Sequence, residues 1–212
     1  MTLLQALATL AATKMPVFHT SDAAACLGVS NAYASTMLAR FAASGHVVRL
    51  RRGVWAFPDR IDPVAVPEHL TFPFPSYVSL QSALYLRGMI SQVPSVTYAV
   101  SLARTRRFAT PLGTFSIHHV EPRFFFGFEE VGRQGGHVAT AEKALVDFLY
   151  LGPARSGLFR ALPELEWPRN FSVHAAQSIV KRIEPARRRT LVSRTLERVL
   201  RARATEMSGH SR

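Results

Sequence analysis

The chain has a single cysteine, Cys26, among 212 residues. That excludes an intrachain disulfide and any zinc site built on several cysteines. No run of about 18 apolar residues occurs, so no transmembrane helix is expected. The start of the chain shows no basic stretch followed by a long apolar core, so no secretory signal is expected and the compartment is read as the cytoplasm. Glycine-rich phosphate loops of the Walker and G-x-G-x-x-G forms are both missing. Acidic residues are scarce, 14 against 26 lysines and arginines, which leaves a formal net charge of +12. Among those basic residues only Lys14, Lys143 and Lys181 are lysine. An arginine bias of that size can follow genome composition, so the count alone identifies no partner.

What is present is more informative. Hydrophobic residues make up 48% of the chain and charged residues 19%, the balance of a globular protein with a sizeable core. The positive charge is unevenly placed. Residues 1–57 hold five basic residues against one acidic, residues 58–172 hold eleven against ten, and residues 173–212 hold ten against three. Two basic ends around a near-neutral middle point to an anionic partner, nucleic acid above all.

Apolar spacing divides the chain into elements. Leu3, Leu4, Leu7, Leu10 and Ala11 predict a first helix over 2–13, ended by Met15-Pro16. Thr20 or Ser21 caps a second helix over 22–27, with Asp22 in its first turn and Gly28 at its end. Ser30 caps a third helix that stops at Gly45. Val47–Leu50 and Val54–Phe57 read as two strands joined by Arg51-Arg52-Gly53. Helix, helix, tight turn, helix and a two-stranded wing is the order of a winged helix-turn-helix. Pro58, Pro63, Pro67, Pro73 and Pro75 mark a linker over 58–75. Residues 76–205 read as a mixed α/β domain: a helix over 78–88, strands at Val96–Leu102 and Gly113–Val120, a phenylalanine cluster at 124–128, and a helix over 139–150. Two basic C-terminal helices follow, split by Glu184-Pro185, and the tail from 206 to 212 is expected to fray. The fold class is therefore α+β.

The third helix carries the chemistry. Ala34, Leu38 and Phe41 share one face, with Met37 beside them, which leaves Ser30, Asn31, Tyr33, Ser35, Thr36 and Arg40 toward the front. An apolar back and a polar front suit a helix that enters the major groove. Arg49, Arg51 and Arg52, on or at the tip of the wing, can reach flanking phosphates or the minor groove. A winged helix used only for protein contacts is the alternative, and the wing arginines argue against it. Tyr33 can equally pack on its own domain. Cys26 is expected to be buried in the second helix.

Enzyme signals are weak, and no cofactor or metal is expected. His118 and His119 are adjacent on a strand, so their rings face opposite ways and cannot share a metal. Ser178-x-x-Lys181 has no further catalytic motif beside it. Glu142 and Asp147 lie five apart on a helix and diverge, and Glu142 and Lys143 are expected to be surface charges.

The chain resembles the AbiEi group of type IV antitoxins and their transcriptional-regulator relatives. The likeness runs through the N-terminal segment to Arg51-Arg52-Gly53-Val54-Trp55, then Tyr77-Val78-Ser79-Leu80-Gln81-Ser82-Ala83-Leu84, the Tyr98-Ala99-Val100-Ser101 strand with Gly113–Val120, and Ala139-Thr140-Ala141-Glu142-Lys143-Ala144-Leu145-Val146-Asp147. The resemblance implies a repressor of its own operon that recognises inverted repeats in double-stranded DNA. It also implies a C-terminal domain that antagonises a nucleotidyltransferase-like toxin, with or without direct contact. A stand-alone regulator whose second domain senses or dimerises is the alternative. A second basic surface is open to both readings. Arg187, Arg194, Arg198 and Arg201 fall within a stripe about 60° wide on the last helix, opposite Val192, Leu196, Val199 and Leu200. Arg104, Arg106 and Arg107 form a smaller basic loop. Each is either a solvated face or a contact to DNA, RNA or nucleotide.

Overall fold

A computed structural model describes residues 2–132, 135–152 and 162–209, with side chains through residue 203. Its first unit is three helices on a three-stranded antiparallel sheet. Helix α1 (Leu3–Ala12) opens with a reciprocal cap: Thr2 accepts from the Gln5 backbone N–H, and the Gln5 side chain accepts from that of Thr2. Strand β1 (Val17–His19) and helix α2 (Thr20–Leu27) follow, and Gly28 ends α2 at φ +64°, where an L side chain would be strained. Helix α3 (Asn31–Ala43) is capped by the Ser30 hydroxyl, which accepts from the Tyr33 N–H. Strands β2 (Val48–Arg51) and β3 (Val54–Ala56) form a hairpin, and β1 adds to its other side in the order β1-β3-β2. Ala6, Leu10, Phe18, Ala23, Met37, Leu38, Phe41, Val47, Trp55 and Phe57 pack as one buried cluster beneath the helices. The Trp55 indole N–H donates to Thr20 Oγ1 at 3.0 Å, tying the sheet to the start of α2.

Several expectations in this unit change. The second helix begins at Thr20 and is capped at His19, not at Thr20 or Ser21, with the Asp22 carboxylate accepting from the His19 N–H at 2.7 Å. Strand β1 was not foreseen; at three residues it exists through its pairing with β3, Phe18 opposite Trp55. Cys26 is exposed, not buried. Ala23, Ala24 and Leu27 set the inward side of α2, and Cys26 lies around the helix from them.

The proline-rich stretch holds a helix where a linker was expected. Helix α4 (Val66–Thr71) carries Pro67 in its first turn, where a missing N–H costs nothing. Val66 and Leu70, one turn apart, are buried with Leu50, Val54, Ala56, Ile61 and Phe115. This cluster joins the hairpin to the second sheet.

That sheet has six strands. They are β4 (Ser76–Val78), β5 (Val96–Ser101), β6 (Arg106–Thr110), β7 (Gly113–His119), β8 (Phe128–Val131) and β9 (Gly136–Ala139), in the order β6-β7-β5-β4-β9-β8. Parallel pairs (β5 with β7, β4 with β9) alternate with antiparallel ones, so the architecture is mixed α and β. Helices α5 (Leu80–Leu86), α6 (Ala141–Leu151), α7 (Val173–Lys181) and α8 (Ala186–Gly209) pack with it, and α4 lies against β4. Pro185 separates α7 from α8, and no proline or glycine follows until Gly209. The described part of the tail expected to fray, 206–209, is accordingly helical; 210–212 lie outside the described residues.

Lys143 overturns its expected place on the surface. It is fully buried on α6, with its ammonium 2.5 Å from Asp147 Oδ1 and donating to the Phe124 carbonyl at 3.0 Å. The Phe124 ring centroid is 3.6 Å away, a desolvated cation–π contact. The other Asp147 oxygen accepts from Tyr77 at 3.0 Å and Ser79 at 2.8 Å. Burial holds Lys143 below the usual lysine value against the opposing pull of Asp147, and burial beside Asp147 pushes the Tyr77 phenol well up. Gly127, at φ +77°, makes room: a Cβ there would sit 3.1 Å from Lys143 Cγ. The network joins β4, α6 and the turn at Phe124.

The two adjacent histidines do separate. His118 is buried and shares a 3.0 Å hydrogen bond with Ser116, while His119 is exposed. Burial lowers the His118 pKa from 6.5 to about 4. The unfolded chain therefore binds the extra proton first. His118's contribution to stability is complete above pH 6.5 and is lost as the pH falls from 6.5 toward 4. The expected loss is on the order of 3 kcal/mol. Urea melts at pH 7 and 4.5 check it: His118→Asn should flatten the difference, and an unchanged pH dependence in that variant would show that other groups set it.

Candidate nucleic-acid interface

Helix α3 is held from behind. Ala34, Met37, Leu38 and Phe41 are buried against the first unit. At 100° per residue, the direction opposite their mean passes through Ala32, Thr36 and Ala39, all exposed. Asn31 and Ser35 border this strip on one side and Tyr33 and Arg40 on the other, again all exposed. The front of the helix is thus a small-residue strip with polar edges, a shape that lets a helix approach base edges closely. Alanine and threonine methyls there suit thymine methyl groups. The sequence reading named the polar edges and passed over Ala32 and Ala39, although the same arithmetic picks them out.

Individual side chains differ in what they have left to offer. The Thr36 hydroxyl donates to the Ala32 carbonyl at 3.1 Å, which leaves it an acceptor outward. Tyr33 is 54% exposed, so its ring stands away from its own domain. Ser30 is exposed but engaged as the α3 cap.

The three hairpin arginines part company. Arg52 is exposed at the turn beside Gly53, whose φ is +76°. Arg49 is exposed on the sheet face, opposite Trp55 in the ladder and 5.6 Å from its ring centroid. Arg51 is only half-exposed and points elsewhere. The ladder register shifts between Arg49 and Arg51, where the change occurs. Its guanidinium donates to the His69 carbonyl at 3.1 Å and the Phe72 carbonyl at 3.4 Å, at the C-terminal end of α4. The last carbonyls of a helix lack intrahelical partners and carry partial negative charge, so a cation there is doubly favoured. Arg51 is a fastener between the hairpin and α4, against its expected place with the outward arginines.

The second basic surface also divides. Arg187, Arg194, Arg198 and Arg201 are exposed on α8, with Val192 and Leu196 buried on its opposite side. Between α7 and α8 runs a groove of about 630 Å³ lined by residues including Lys181, Ser193, Arg194 and Glu197. Arg104, Arg106 and Arg107 are exposed as well. Arg106 and Arg107 lie on β6, not in a loop.

Among the described residues, no group of three or more His, Cys, Asp or Glu is placed to hold a metal ion. Nor, among them, is any helix long and apolar enough to cross a membrane. Ser79 and Lys143, a pairing that in an open cleft would suggest a nucleophile and its base, are both fully enclosed. Their arrangement is that of a core network.

No curated protein matches the chain. Residues 5–58, which run from α1 to just past the hairpin, match the family model described as "Transcriptional regulator, AbiEi antitoxin", the family that the sequence motifs resemble.

Proposed function

We propose that the chain is a DNA-binding transcriptional regulator in which residues 1–57 act as a winged helix-turn-helix on double-stranded DNA. It represses its own operon through inverted repeats. Residues 76–205 serve as the antitoxin part, antagonising a nucleotidyltransferase-like toxin. The chain itself performs no catalysis. The observation that carries the reading is the exposed face of α3, small along its middle and polar at its edges, inside the segment that matches the regulator family. Asn31, Ser35, Thr36, Tyr33 and Arg40 are the residues assigned to base edges and phosphates, and Arg49 and Arg52 the ones assigned to the backbone beside the wing.

Arg51 and Arg52 supply the test. Replacing Arg52 by Ala should weaken binding to all duplexes alike and reduce the slope of log K against log salt by about 0.9, leaving stability unchanged. Arg51→Ala should lower stability by about 1–3 kcal/mol through two lost charge-assisted bonds. Fluorescence anisotropy on labelled duplexes and urea melts measure the two. A loss of salt slope on Arg51→Ala, with no loss of stability, would reverse the assignment.

A further inference from the structure

A cavity of about 390 Å³ opens beside the six-stranded sheet, between helix α5, the connection from α5 to β5, and the segment that begins at Leu162. Its walls are apolar at Ile90, Val93, Pro94 and Leu162 and polar at Gln81 and Tyr98. Among the described residues no charged side chain lines it, in a chain of net charge +12. Hydrogen bonds fix the walls. The Ser82 hydroxyl donates to the Val96 carbonyl at 3.2 Å and accepts from the Tyr98 N–H at 2.8 Å, which ties α5 to β5. The Glu166 N–H donates to the Met89 carbonyl at 2.8 Å, which holds the Leu162 segment beside the chain that leaves α5. Tyr98 is half-buried, with its ring stacked on the buried His118. Gln81 is half-buried as well. Its Oε1 is shut off from solvent and has no hydrogen-bond partner among the described residues. An amide oxygen left so is costly. The residue before it, Leu80, is fully buried at φ +56°, in the left-handed region that a bulky side chain rarely adopts. Strain of that kind persists where the surroundings hold it in place, and functional sites are where it collects. Here it sets how the chain enters α5 and so where Gln81 points.

We propose that this cavity binds the base of a free nucleoside, with Gln81 reading the base edge and Tyr98 supporting its face. The site is separate from α3 and the wing and does not depend on the duplex reading. A base edge sets a donor beside an acceptor at the spacing of a carboxamide, which is why glutamine can pair with a base through two bonds at once. The Gln81 amide turns about a broad terminal torsion, and its oxygen has no bond to give up, so it presents that oxygen to a ligand N–H at the cavity wall. A flat ring suits the remaining walls. Tyr98 offers an aromatic surface, and Ile90, Pro94 and Leu162 offer an aliphatic one. Gln92 and Ser95, exposed on the rim, are placed for the ribose hydroxyls. The volume is within the range of small-ligand sites. A lining without charge favours a neutral nucleoside, because an anion would lose its water with no cation among the described lining residues to meet it.

The test is equilibrium dialysis of the full chain against radiolabelled adenosine, cytidine, guanosine and uridine, each taken separately. At least one should bind saturably. Gln81→Met keeps the length of the side chain and removes both hydrogen bonds, so it should weaken that nucleoside at least about tenfold. Its melting temperature should not fall, because the substitution removes a buried oxygen that has no partner. Val93→Trp changes a residue that is 66% exposed at the mouth, and should block entry with the melting temperature kept. No saturable binding of any of the four up to roughly millimolar concentration overturns the proposal. Equal affinity in wild type and in both variants places the nucleoside elsewhere and overturns it as well. So does a loss of binding that appears only together with a lower melting temperature, since that is the mark of a structural role.

Discussion

Replacing Lys143 by Met is expected to destabilise the fold around the six-stranded sheet by about 3–5 kcal/mol, a large part of the stability of an ordinary domain. The side chains are close in size, so the loss is electrostatic. Asp147 would remain fully buried with two hydroxyl donors, Tyr77 and Ser79, and no cation. The stranded carboxylate dominates the cost. Adding Asp147→Asn should therefore recover much of the loss, because a neutral amide oxygen still accepts from Tyr77 and Ser79. Urea denaturation of wild type, single and double variants measures both effects. A change under about 1 kcal/mol on Lys143→Met would mean that the ammonium contributes little net stability in its aromatic enclosure. The four residues come from two short stretches of sequence, Tyr77-Val78-Ser79 and Lys143 through Asp147, outside the segment that matches the family model. On this account those stretches specify a core and not a catalytic centre.

The largest expected effect on DNA binding comes from Ala39→Glu. The side chain is exposed, so the fold should keep its melting temperature. It stands in the middle of the α3 strip that we assign to the groove. A carboxylate there meets phosphate repulsion and fills the space that a close approach needs. Binding to any duplex should weaken at least about 100-fold, roughly 2.7 kcal/mol. Ala39→Gln separates the two causes, since it keeps the bulk and removes the charge. Asn31→Ala should behave differently, with a loss of about 1–3 kcal/mol on the preferred sequence and little on random DNA. Wild-type affinity in Ala39→Glu, measured on the same duplexes, would place the DNA contact elsewhere than on α3.

The local elements were legible because their signals are local. The 3.6-residue spacing of α1 and α3, the Ser30 cap, Gly28, the Arg52-Gly53 turn and the Pro185 break all act within a few residues of themselves. Failures came where a distant partner decides the outcome. Strand β1 depends on β3, some 35 residues on. Helix α4 looked like linker because its prolines outweighed the Val66–Leu70 pair, whose burial depends on Leu50 and Phe115. Arg51 and Arg52 are neighbours of identical chemistry, and only the position of α4 separates a fastener from an exposed cation. Lys143 gave a readable signal that went unused. It and Asp147 are one turn apart in a helix otherwise rich in large apolar residues, and such a pair is placed to neutralise itself inside a core.

The central claim is that α3 and the wing read duplex DNA by sequence. Its most direct test is selection: the full-length chain is mixed with a pool of duplexes carrying a 30-base-pair random segment, and the bound fraction is recovered, amplified and sequenced over several rounds. The account predicts enrichment of an inverted repeat by the wild-type chain, and none by the Ala39→Glu variant carried in parallel. Recovery of an unenriched pool by the wild-type chain, or of the same repeat by both chains, would contradict it.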